Sequence, residues 1–280
     1  MPYGTWIIRE IESPKGYVLS EEEIAVTIGK VDEVVEIELV NYFIKGNIAL
    51  TKVDEDYPDN KLSGAVFEVY SDTNGDGKLD KDDTLLGEMK ELDGGVYQMS
   101  ELRYGKYLVK ETKAPTGFVL DENVYSVSVE ENGKTYTVEN KAGVGFINAA
   151  QKGSLKIVKT SSDGKVEGFS FRVTGVDYDQ TFKTDKNGEI YIEGLRIGEY
   201  TVSEVSDSVS AGYILPADKQ ATVKVDATAI VQMHNKFRDT PKTGDDFNLG
   251  LWVSLAVLSV VGAGVLGFVG YKNRKKKKED

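Results

Sequence analysis

The sequence predicts an all-β chain, built of tandem antiparallel β-sandwiches and ending in one transmembrane helix. Three observations carry this expectation. Short runs alternate apolar and polar residues with period two, as in Ile48, Leu50 and Lys52 or Tyr200, Val202 and Glu204. Turn clusters rich in Asp, Asn, Gly and Ser separate these runs, and both recur along the chain. One uncharged run, 249–271, is long enough to cross a hydrocarbon core of about 30 Å.

The repeats set the organisation. Gly4, Trp6, Ile8 and Glu10 align without gaps with Gly105, Tyr107, Val109 and Glu111, and with Gly198, Tyr200, Val202 and Glu204. A second pattern aligns Asn41, Gly46 and Lys52 with Asn148, Gly153 and Lys159. A unit therefore reads Lys, then Glu, then Asn. Lys52, Glu111 and Asn148 make one unit, and Lys159, Glu204 and Asn235 make the next. Glu10 and Asn41 end an earlier unit whose Lys partner is missing. The expected division is a C-terminal domain remnant at 1–45, complete domains at 46–151 and 152–238, a linker at 239–248, the span at 249–271 and a basic tail at 272–280. Because the chain starts inside a repeat and shows no signal peptide, it reads as the C-terminal part of a longer protein.

Composition narrows the function. The chain has 280 residues, no cysteine, one histidine and a net charge of −12. Disulfides, thiolate metal sites and cysteine nucleophiles are excluded, and acidity argues against nucleic acid as a partner. No Ser/His/Asp set is visible, so an enzyme that turns over is not expected. The six basic residues of the tail should stay cytoplasmic, which puts 1–248 outside the cell.

Strand parity points to the chemistry. Side chains at i, i+2 and i+4 share a face. Each Lys, Glu and Asn of the repeat falls where the next apolar core residue belongs. A strand end open to water is the plainer alternative, weakened by the recurrence of all three types in register. Buried together, they imply a reaction. Desolvation lowers the lysine pKa and raises that of glutamate, giving a nucleophilic amine and a proton donor beside an amide carbonyl. The product is a Lys–Asn isopeptide bond formed once per domain. Such a bond between first and last strands would carry pulling force past the rest of the sandwich.

The Lys strand, the stretch at 107–118 (Tyr107, Val109, Glu111, Ala114, Pro115, Gly117, Phe118) and the late Asn resemble Cna B-type (SpaA-like, prealbumin-like) domains of Gram-positive pilins and surface adhesins. That resemblance implies an Ig-like or prealbumin-like sandwich. It also implies bonds Lys52–Asn148 and Lys159–Asn235, with Glu111 and Glu204 (and Glu10 in the first unit) as proton shuttles. Asn140 is the rival acceptor in the middle unit; Asn148 is preferred because it keeps the 11-residue spacing to the next Lys.

Two further motifs stand outside the repeat. Asp72, Asn74, Asp76, Gly77, Lys78, Asp80 and Asp83 follow the spacing of a 12-residue Ca²⁺ loop. The alternative is an acidic hairpin turn that takes no metal. Thr240, Pro241, Lys242, Thr243 and Gly244, followed by the span and basic tail, resemble an LPxTG sorting signal, which sortase would cut between Thr243 and Gly244. The expected protein is thus a wall-anchored pilus subunit or adhesin stalk. Its partners would be sortase, peptidoglycan or pilin subunits, and a host or matrix ligand bound by a missing N-terminal part. The competing reading is a calcium-dependent scaffold module held in the membrane.

Overall fold

The computed structural model describes residues 2–238, and every element there is a strand. The sorting motif, the apolar run and the basic tail lie outside the described residues. Among the described residues no helix is long and apolar enough to cross a membrane.

The first unit holds β1 (Gly4–Arg9) and β2 (Glu23–Ile28), paired as an antiparallel ribbon. Among its described residues the one buried apolar side chain is Val26. The alternation at Ile37 and Leu39 does not become a strand, and both side chains are exposed. A strand needs a ladder partner for its backbone groups, and no Lys-bearing strand lies beside this segment among the described residues.

The second unit comprises β3 (Lys45–Asp54), β4 (Val66–Ser71), β5 (Thr84–Glu88), β6 (Lys90–Glu91), β7 (Val96–Arg103), β8 (Gly105–Lys113), β9 (Val124–Val129), β10 (Thr135–Thr137) and β11 (Phe146–Asn148). One sheet runs β10-β3-β7-β6 with β11 also on β3; the facing sheet runs β5-β4-β8-β9. The third unit comprises β12 (Lys152–Ser161), β13 (Ser170–Gly175), β14 (Tyr178–Lys183), β15 (Glu189–Arg196), β16 (Gly198–Glu204), β17 (Tyr213–Ile214), β18 (Lys219–Val223) and β19 (Thr228–Phe237). Its sheets run β15-β12-β19-β17 and β14-β13-β16-β18. Each unit has its own core. Ile48, Leu50, Phe67, Val69, Val109 and Phe146 centre the second; Leu155, Ile157, Phe171, Val173, Val202 and Met233 centre the third.

The Lys strand lies parallel to the Asn strand in the same sheet. β12 pairs with β19 from Ser154↔Thr228 to Ser161↔Asn235, and β3 pairs with β11 from Phe146↔Lys52 to Asn148↔Asp54. The Glu strand belongs to the facing sheet in both units. The repeated glycine that precedes the Lys has a steric cause. A Cβ on Gly153 would meet the Lys224 carbonyl oxygen at 2.1 Å, and one on Gly46 would meet that of Lys134 at 2.8 Å. In both strands the register also shifts next to this glycine.

Two length differences between units are resolved. The Glu-to-Asn spacing is 37 residues in the second unit and 31 in the third. In the second unit the last strand is split into β10 and β11, with 138–145 looping out between them, whereas β19 is continuous. Likewise 12 residues separate β4 from β5, against two between β13 and β14.

Candidate functional site

Alternation along β3 and β12 points Lys52 and Lys159 inward after Ile48 and Leu50, and after Leu155 and Ile157. Both lysines are buried, as are Glu111, Asn148 and Asn235; Glu204 is half-buried. The structure therefore brings together the three residue types in each complete unit.

In the second unit the Asn148 amide donates to both Glu111 carboxylate oxygens, at 3.0 and 2.9 Å. Lys52 Nζ lies 3.9 Å from Glu111 Oε1 and donates to the Phe146 carbonyl at 3.0 Å. In the third unit the Asn235 amide donates to Glu204 at 2.6 Å, and Lys159 Nζ donates to the Thr160 carbonyl at 2.7 Å. Each ammonium also lies against an aromatic face: Lys52 against Phe146 at 5.3 Å, and Lys159 against Phe169 at 4.1 Å. Among the described residues, three buried side-chain polar atoms lack a hydrogen-bond partner: Asn148 Oδ1, Asn235 Oδ1 and Glu204 Oε2. All three belong to these two centres. Buried polar atoms are normally satisfied, so orphans that cluster require a chemical reason.

Burial sets the electrostatics. It pulls the Lys52 amine down to about 8, against the opposing pull of Glu111, Asp121 and Asp54. It also lowers Lys159 and raises the carboxyls of Glu111 and Glu204. The first unit supplies the contrast. There Asn41 donates to Glu10 at 2.7 Å, and the Ser20 N–H donates to the other Glu10 oxygen at 2.8 Å. With no sandwich over it, Glu10 is held below the usual carboxylate range by these bonds, first Ser20 and then Asn41. The same Glu–Asn pair thus shifts in opposite directions, depending on whether a core covers it.

Asn140 has other work. It donates to Asp121 and to the Ile147 carbonyl, both at 2.8 Å, and accepts the Ile147 N–H at 2.6 Å. It fastens the returning strand, while Asn148 faces Glu111. Asp121 is a supporting residue that sequence reasoning missed. Its N–H donates to Glu111 at 2.9 Å, and its carboxylate accepts from Asn140 and Tyr125. The ten-residue step from Glu111 to Asp121, matching Glu10 to Ser20, was an available signal. His234 is exposed and shares a hydrogen bond with Thr160, on the outer side of its strand.

The loop at 72–83 joins β4 to β5, two strands rather than helices. Buried Asp72 accepts the Gly75 and Gly77 N–H groups at 2.7 and 3.1 Å, Asp76 accepts from Lys78, and Asp83 accepts from Thr73 and Asp80. Asn74 donates to Asp80 at 3.1 Å. Among the described residues, no group of three or more His, Asp or Glu side chains is placed to hold a metal ion. The donors are all oxygens, the chemistry a hard cation prefers, but here they are turned onto their own backbone.

Comparison with known proteins follows the same repeats. The family "SpaA: Prealbumin-like fold domain" matches residues 1–42, 46–142 and 153–237. No curated protein matches the chain in sequence. Among solved structures, the Bacillus anthracis TIE protein is similar at 27% identity and a TM-score of 0.64, over 85% of this chain and 42% of that one. The chain thus spans less than half of the TIE protein structure. GBS52, the minor pilin of Streptococcus agalactiae, is similar at 17% identity and TM-score 0.32, over 71% of this chain and 99% of that one. A D295N mutant of the shaft pilin SpaA from Lactobacillus rhamnosus GG is similar at 15% identity and TM-score 0.33, over 69% and 99%.

Proposed function

Because the chain belongs to the SpaA prealbumin-like domain family, we propose that it is the stalk of a Gram-positive surface structure, a pilus subunit or adhesin stalk, whose two complete domains are stapled by Lys52–Asn148 and Lys159–Asn235 amide bonds. The observation that carries this reading is the set of orphaned amide and carboxyl oxygens at the two Glu–Asn pairs, beside buried lysines.

The chemistry balances without an outside reagent. With a pKa of about 8, roughly a tenth of Lys52 is neutral at pH 7. The free Nζ attacks Asn148 Cγ. A half-turn of the Asn148 amide sets Oδ1 against Glu111, whose protonated carboxyl donates to it as the tetrahedral centre forms. Glu111, now a carboxylate, carries a proton from Nζ to Nδ2. As the Cγ–Nδ2 bond breaks and ammonia leaves, the carbonyl re-forms and the Oδ1 proton returns to Glu111. Glu111 ends as it began. Glu204 acts likewise for Lys159 and Asn235. Close placement in a water-free core makes an unactivated amide reactive. The test is intact mass: the folded chain is lighter than its sequence by one ammonia per complete domain. A full, unmodified mass would sink the reading.

Anchoring is the second part of the proposal. Sortase cuts between Thr243 and Gly244 and passes the Thr243 acyl group to an amine of peptidoglycan or of another pilin. The support is the order of motif, apolar run and basic tail. The third part is Ca²⁺ at 72–83, held by oxygens of Asp72, Asn74, Asp76, Asp80 and Asp83 and by the Lys78 carbonyl. The support is ligand spacing and oxygen chemistry. A melting shift in millimolar Ca²⁺ that Asp76→Ala abolishes is the expected result; no shift in the parent overturns it.

A further inference from the structure

The junction between the second and third units centres on Arg196, beside which Lys152 of the third unit pairs with Asp56 of the second at 3.1 Å. Arg196, the last residue of β15, reaches back to the end of the Lys strand of the unit before. Its Nη1 donates to Asp54 Oδ2 at 2.7 Å, and its Nη2 to Asp54 Oδ1 at 2.8 Å and to Asp56 Oδ2 at 3.0 Å. The guanidinium lies over the Tyr57 ring at 4.9 Å. Its backbone is fixed too, because the Tyr200 hydroxyl donates to the Arg196 carbonyl at 2.9 Å. The same repeat position in the second unit is Arg103, which lies 3.9 Å over Phe43 of the first.

Asp54 is not a surface partner for this arginine; it is only 2% exposed. It stands two residues beyond Lys52 on the same strand and opposite Asn148 in the ladder. A bidentate guanidinium at this point cancels a buried charge at the mouth of the Lys52, Glu111 and Asn148 centre.

We propose that Arg196, supplied by the third unit, is a positioning residue for the Lys52–Asn148 cross-link: docking of the third unit neutralises Asp54 and so lets the second unit close its bond at neutral pH. The proposal rests on the amide-bond reading above. The charged groups around Lys52 are Glu111 on β8, Asp121 in the loop after β8, and Asp54 on its own strand. All three favour the ammonium. Only Asp54 has an arginine bound to it, and that arginine comes from the next unit. Removing the arginine leaves the Asp54 charge uncompensated in a dry site, which holds Lys52 protonated and slows attack.

The test follows bond formation in the full chain, pulse-labelled in cell-free synthesis and chased over a range of pH. Bridged peptides for the two pairs are quantified by mass spectrometry. The Lys159–Asn235 bond of the same molecule is the internal reference. In Arg196→Gln the Lys52–Asn148 bond forms about threefold or more slowly at pH 7, and its pH–rate midpoint moves to higher pH, while the reference is unchanged. Arg196→Lys, which keeps the charge, recovers most of the rate, and so does Asp54→Asn with Arg196→Gln, which removes both charges. An unchanged midpoint in Arg196→Gln, or slowing that the double variant does not relieve, overturns the proposal and leaves the bond itself standing. Absence of both bridged peptides in the parent overturns the amide-bond reading, and this proposal with it.

Discussion

Glu111→Gln separates the covalent bond from the packing around it. The glutamine fills the same volume in β8, and its amide can still accept the Asn148 amide proton, but it cannot carry protons between Nζ and Nδ2. The bond from 52 to 148 closes a loop of nearly 100 residues, for which chain-entropy models give about 4–5 kcal/mol. In a domain of this size each kcal/mol moves the melting point by about 4–5 °C, so the second unit should melt roughly 20 °C lower. The unbonded Lys52 then stays buried beside Phe146, which adds to the loss. Intact mass should rise by one ammonia relative to the parent, corrected for the substitution, and calorimetry should show one transition displaced and the other kept. A variant that still loses two ammonias would falsify the proton-shuttle role of Glu111. A variant that gains the ammonia but melts with the parent would refute the loop-entropy argument instead.

The other predictions concern pH and packing. Asn148→Ala traps the second unit without its bond. Lys52 is then near 8 when folded and at the ordinary lysine value when unfolded, so between the two the unfolded chain holds more protons. Stability of that unit therefore rises with pH across roughly pH 8–10, and the rise is absent from Lys52→Met with Asn148→Ala. Glu111, raised by burial, acts in the opposite sense: its contribution falls as pH climbs out of the normal glutamate range. Urea midpoints at pH 5, 7.5 and 10 check both signs, and a flat profile refutes them. Gly153→Ala forces a methyl group onto the Lys224 carbonyl and should cost about 1–3 kcal/mol in the third unit. An unchanged melting point there would mean that β12 can shift away freely.

Much of the fold and site could be read from local pattern. Period-two alternation is a property of neighbouring residues, so the inward lysines at 52 and 159 were legible once Ile48, Leu50, Leu155 and Ile157 were seen. Repeat spacing selected Asn148 over Asn140, because a repeat preserves register where an inserted loop does not. The 138–145 loop could not be anticipated: the length gap was visible, but not where it falls. Nor was the Arg196–Asp54 contact, which joins residues 142 apart and has no periodic signature. The first unit shows the limit of alternation, since Ile37 and Leu39 have the pattern of a strand and no ladder to join.

The parallel pairing of first and last strands also orders events in time. β3 cannot meet β11, nor β12 meet β19, until nearly the whole unit has been synthesised and folded between them. A bond formed at that ladder is therefore closed last and never in a partly built domain. Noncovalent contacts report only the present state of a chain. A Lys–Asn bond at this place would report its history, marking every molecule that had once folded correctly and keeping the mark if the molecule later unfolds.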